Sequence, residues 1–111
     1  MALRRLAREF AAEIANHDWS DATTRLDRAG HRREDDSKVS GEPPLTPQEA
    51  HRIKVNVMWV TAQVLAHEDP NFEIHEFARL CGVTGLSRAS LECGLRRSPD
   101  GKLLQAPPVH T

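Results

Sequence analysis

The sequence contains no tyrosine, two tryptophans and three phenylalanines among 111 residues, and its apolar fraction is 39%. Aromatic side chains carry much of the buried area of an ordinary core. Their scarcity limits this chain to one modest core with polar segments beside it. A single domain of this length buries about 65% of the surface its unfolded chain exposes, so it needs neither disulfide nor metal to fold. Cysteine is equally sparse. Cys81 and Cys93 form no C-x-x-C pair, and none of His17, His31, His51, His67, His75 and His110 stands four residues from another. The spacings that place two ligands on one zinc are therefore missing, and no metal or other cofactor is expected. No run approaches the roughly 18 apolar residues of a membrane span. The opening MALRRLAREFAAEIANH is too charged to read as a secretory leader. The expectation is a cytoplasmic protein with two free thiols and no membrane partner.

Excess charge is missing too. The net value of −1 argues against a general polyanion binder. The charge is unevenly spread: residues 79–111 hold five basic side chains against two acids, whereas 35–78 hold three against eight. Any nucleic-acid contact should then fall in the C-terminal third. Arginine outnumbers lysine twelve to three, a bias that often accompanies a GC-rich genome.

What the sequence does have is helical patterning. Over 2–16, Leu3, Leu6, Phe10 and Ile14 recur at three- and four-residue spacing, predicting an amphipathic helix with that set as its inner face. Asn16 or Asp18 ends it or caps the next element. A weaker helix is read over 19–34, opened by Ser20, with a thin apolar face of Trp19, Ala22, Leu26 and Ala29. Residues 35–45, DDSKVSGEPPL, read as a linker. The strongest signal follows. T-P-Q-E at 46–49 is a capping box with proline at the first helical position, opening a helix to Glu68. Ile53, Val57, Val60 and Val64 make one stripe on it. Val55, Met58, Trp59, Ala62 and Leu65 broaden that stripe almost all round, which predicts a spine wrapped by the other helices. Asp69 or Asn71 caps a helix over 71–81, with Phe72, Phe77, Leu80 and Cys81 inward and Gly82 as its left-handed terminator. Ser87 caps a last short helix over 88–96, weakened by Gly94. S-P-D-G at 98–101 is a tight-turn sequence that could join 95–97 to 102–104 as a short β-hairpin. The expected fold is all-α: a small bundle around the 46–68 helix, one domain with a 105–111 tail.

Residues 76–101 resemble the helix-turn-helix superfamily. Ala78 stands where the motif's first helix needs a small residue, with Phe77, Cys81 and Val83 around the turn glycine Gly82 and Leu91 facing inward from the second helix. The pattern departs at Arg88, where an aliphatic residue is usual, and in the long turn Thr84-Gly85-Leu86. The resemblance implies DNA binding. Arg88 and Ser90 would reach base edges, and Arg96, Arg97 and Lys102 would contact phosphates of double-stranded DNA. The competing reading is two core helices with an ordinary turn, in a module that docks a protein, including a second copy of itself. Arg25, Arg28, Arg32 and Arg33 share one helical face that would suit phosphates or an acidic partner, but Asp27 and Glu34 dilute it and a solvated face is the better reading. Trp19 beside it is a candidate anchor. Asp35-Asp36 and Glu68-Asp69 read as end-of-helix charges rather than an acid–base pair, and no motif supports either thiol as a nucleophile, so no enzyme is expected. Finally, RLDRAGHRRE and NVMWVTAQVLAHEDPNFEIHEFARLCGV look like parts of small proteins of actinobacteriophages, the mycobacteriophages among them. That resemblance implies a compact phage product in a bacterial cytoplasm, with a host protein as an alternative partner to DNA.

Overall fold

The computed structural model describes residues 3–20 and 45–96, and these are all-α. Four helices follow in order: α1 (Arg5–Asn16), α2 (Pro47–Glu68), α3 (Ile74–Leu80) and α4 (Arg88–Cys93). The proposed 19–34 helix (beyond Ser20), most of the 35–45 linker and nearly all of the 95–104 hairpin lie outside the described residues, as do Arg97 and Lys102. No strand occurs among the described residues, and Leu95, the first residue assigned to the hairpin, is instead a buried core residue.

The start of α2 follows the sequence reading. The Thr46 hydroxyl accepts the Glu49 N–H at 3.1 Å and the Glu49 carboxylate accepts the Thr46 N–H at 2.9 Å, with Pro47 opening the first turn. Two donors that would otherwise lack partners at the helix start are thereby satisfied. α1 runs antiparallel to α2. Arg4 meets Asp69, just past the far end of α2, at 3.3 Å, while Trp19 and Pro47 line one cleft at the near end. The Trp19 indole N–H donates to the Ile14 carbonyl at 3.1 Å, closing the last turn of α1. The Leu45 N–H donates to the Ser20 carbonyl at 2.6 Å, so the chain leaves and re-enters the described body at one place.

The inner face of α1 differs from expectation. Leu3, Ala7, Ala11 and Ile14 are buried, while Leu6 and Phe10 are 59% and 44% exposed. Leu3 also precedes the helix, which starts at Arg5. The reason is steric. Ala11 on α1, Ala62 on α2 and Ala78 on α3 are all buried in helices that contact one another, and small buried side chains allow helices to approach closely. Rotating α1 to bury Leu6 and Phe10 would drive larger side chains into that space. α2 also departs from the picture of a helix wrapped on every side. Met58, Ala62, Leu65 and Ala66 face inward, but Val60 and Val64 are 72% and 51% exposed. Phe77, Met58 and Cys81 are the largest fully buried side chains, and the Phe72 and Phe77 rings lie 5.3 Å apart.

Candidate interaction surfaces

The α3–α4 end carries the residues expected to read DNA. α3 begins at Ile74, later than predicted, because Asp69 ends α2 and turns its carboxylate to the Asn71 N–H, leaving Glu73 to cap α3 through the His75 N–H. At the other end, Gly82 adopts φ +76°, and the Val83 N–H reaches back to the Ala78 carbonyl at 3.0 Å. This is the left-handed closure expected of a glycine at that place. A second left-handed glycine, Gly85 at φ +84°, lengthens the turn. The His51 ring, from the second turn of α2, lies against Thr84, with Nε2 3.0 Å from the Thr84 carbonyl and 3.3 Å from its N–H. The turn is thus tied to the first half of α2.

α4 is shorter than predicted. Ser87 caps it through the Ser90 N–H at 3.0 Å, and it ends at Cys93 with Gly94 as its C-cap. The glycine has a packing reason: a Cβ at Gly94 would overlap the six-membered ring of Trp59. The chain then drops onto α2. Leu95 enters the core, and the Arg96 N–H donates to Oε1 of the buried Gln63 side chain at 2.8 Å. This polar clamp was not foreseen; only a glutamine within an otherwise apolar stretch signals it.

The candidate DNA contacts distribute as follows. None of the six residues of α4 is buried. The Arg88 guanidinium lies 3.3 Å from the Glu92 carboxylate, which also faces His75 at 3.2 Å. The Ser90 hydroxyl accepts from Ser87 at 2.9 Å. The Arg96 side chain is exposed while its backbone is anchored. Leu91, expected inside, is half-buried against the core. On α3, Arg79 forms a close pair with Glu76, whose carboxyl is held below its ordinary range by that hydrogen bond. Three of the acidic groups at this end, Glu73, Glu76 and Glu92, are thus already engaged with neighbours.

Both thiols are free. Burial pushes the Cys81 thiol up to about 12, only partly offset by Lys54, which makes it unreactive at neutral pH; Cys93 is exposed. Among the described residues no group of three or more His, Cys, Asp or Glu side chains is arranged to hold a metal ion, and no helix is long and apolar enough to cross a membrane. An open cleft of about 240 Å³ at the α1–α2 end is lined by His17, Asp18, Trp19, Pro47, His51 and Lys54 among others.

The other surface is apolar. From Val55 to Ala66 α2 has no charged residue, although Asn56, Val60 and Val64 within that stretch face solvent. Leu6 and Phe10 form a second exposed apolar pair, one turn apart on α1, with Glu9 and Glu13 beside them. An isolated exposed leucine means little, but a charge-free length of exposed helix is the composition of an interface centre. That charge gap was legible in the sequence; the burial of only one side of α2 was not. No family model, no curated protein and no solved structure matches this chain.

Proposed function

We propose that this chain acts without catalysis, by docking a protein partner on the outer side of α2. The observation that carries this reading is the exposure of Val60 and Val64 in the middle of a 22-residue helix whose central stretch bears no charge. A solvent-facing helix side is ordinarily charged, and both valines keep at least half of their surface in water. Docking would remove their apolar area from water at about 25 cal/mol per Å². The resemblance to actinobacteriophage proteins directs the search for a partner to bacterial cytoplasmic proteins. The test is capture on the immobilised full chain. Val60→Glu with Val64→Glu should abolish capture of whatever the wild type retains, with the helical circular dichroism unchanged. Retention undiminished by both glutamates would refute the reading.

A second reading, with α4 against double-stranded DNA, is favoured by the exposure of every α4 residue but Leu91 and of Arg96. In it Arg88 and Ser90 face bases, and Arg96, Arg97 and Lys102 face phosphates. Two observations weigh against it. Glu92 already occupies Arg88, and α4, six residues long, offers less than two turns to reach a groove. Titration with random-sequence duplex decides it. Binding that weakens steeply with salt and falls in Arg96→Ala/Arg97→Ala supports DNA contact, whereas no binding at low salt removes it.

A further inference from the structure

We propose that His51 is a proton-controlled latch on the α3–α4 turn: a bare Nε2 holds the Thr84 N–H, and a protonated ring releases it and takes the Thr84 carbonyl instead. Nε2 lies 3.3 Å from that N–H nitrogen and 3.0 Å from that carbonyl oxygen. One ring nitrogen cannot serve both. It accepts from the N–H only while it carries no proton, and it donates to the carbonyl only when it does. The Thr84 N–H is directed at Nε2, and that bond requires the neutral ring with its proton on Nδ1. Protonation makes both ring nitrogens donors. Two N–H groups then face each other across the same gap, and the carbonyl beside them is the acceptor within reach.

The turn has the freedom to take up this exchange. Its flanks are held, because Val83 is buried and Leu86 packs against the core. Thr84 and Gly85 between them are exposed. The Thr84 carbonyl belongs to the peptide plane that Gly85 completes. Beyond its chain neighbours, nothing stands within 4 Å of where a Cβ would sit at Gly85, and glycine lets the plane turn at little steric cost. Ser87 and α4 follow directly, so the exchange resets the entry to α4, which neither binding reading addresses. The charged groups around the ring can be named. His17 and Asp18, at the end of α1, and Lys54, three residues along α2, line the same cleft. Residues 82–87 bring none, and burial keeps the nearby Cys81 thiol protonated. Imidazole is the side-chain type that changes charge around neutral pH. The competing groups are therefore His17 and, on α3, His75 with its partner Glu92.

The experiment is nitrogen NMR of the full, isotopically labelled chain from about pH 8 down to about pH 5, the range in which imidazoles titrate. At the alkaline end His51 Nε2 should show the shift of a bare imidazole nitrogen, with the proton on Nδ1. Toward acid the Thr84 amide proton should move upfield as its acceptor is lost. The Gly85 amide, in the plane of the Thr84 carbonyl, should move with it, both at the midpoint of the His51 ring. His51→Gln should remove this common titration, whereas His17→Gln and His75→Gln should leave it in place. A proton on Nε2 at the alkaline end overturns the proposal, and the wild-type chain alone decides that point, however the variants fold. A Thr84 amide that does not follow the His51 ring overturns it as well. So does a Thr84 titration that survives His51→Gln or vanishes in either of the other two variants.

Discussion

The two sides of α2 are similarly apolar and have opposite fates. Its inner side places Met58, Ala62, Leu65 and Ala66 in the core, and its outer side places Val60 and Val64 in water. The inner residues vary in size, from alanine to methionine, and meet α1 and α3 where close approach and filled space both matter. The outer residues are two valines, one turn apart. The buried side is therefore the one expected to carry stability. A helix apolar all round need not be wrapped by its own chain.

The sharpest way to break that comparison is to truncate one residue on each side. Met58→Ala should cost about 2–5 kcal/mol, the range for emptying a fully buried long side chain, whereas Val60→Ala should stay within about 0.5 kcal/mol, as exposed substitutions do. Urea unfolding measures both. Equal costs would mean that the outer valines are covered by the chain itself. Next in size is Gly94→Ala. The added methyl must displace the Trp59 ring, and overpacking of this kind costs about 1–3 kcal/mol. Tryptophan fluorescence should shift with it. Trp59→Leu in the same chain should recover part of the loss, because the smaller side chain vacates the space.

How far these contrasts were visible beforehand depends on the range of the interactions behind them. Thr46, Pro47 and Glu49 announced the start of α2 because a capping box is closed within four residues, and Gly82 and Ser87 marked their boundaries for the same local reason. The inner face of α1 was misjudged because the choice between Leu6 and Ala7 is made by the neighbouring helices, and periodicity alone favours the larger apolar side chain. Gly94 looked like a defect in a helix. It is a C-cap that admits Trp59, a residue 35 positions earlier, and no local rule could pair them. Among the candidate site residues, Arg88 and Ser90 lie exposed in the first turn of α4, but Glu92, four residues after Arg88 and visible in the sequence, was not set against it.

The smaller expected effects test whether α2 is held by its ends as well as its inner side. Thr46→Ala removes the hydroxyl that accepts the Glu49 N–H and should cost about 1 kcal/mol, the usual loss at a helix start. The same cap gives an acid dependence whose sign follows from its hydrogen bonds. The Thr46 N–H and hydroxyl hold the Glu49 carboxyl below its ordinary value of 4.5, and Arg79 does the same for Glu76. A carboxyl lowered by folding contributes stability that is complete above the unfolded value and disappears as pH falls through the folded one. Stability should therefore decline from about pH 4.5 downward. Glu49→Gln, which removes the titrating carboxyl, should flatten that decline, leaving the Glu76 part in place. Glu49 is exposed and Glu76 partly so, and salt weakens such ion pairs, so the Glu76 share should shrink at high ionic strength. The Glu49 share should persist, because a hydrogen bond to a backbone N–H is short-ranged. Urea midpoints at successive pH values, in low and high salt, would separate the two. An acid decline identical in wild type and Glu49→Gln would show that the carboxylate half of the cap contributes nothing to holding α2.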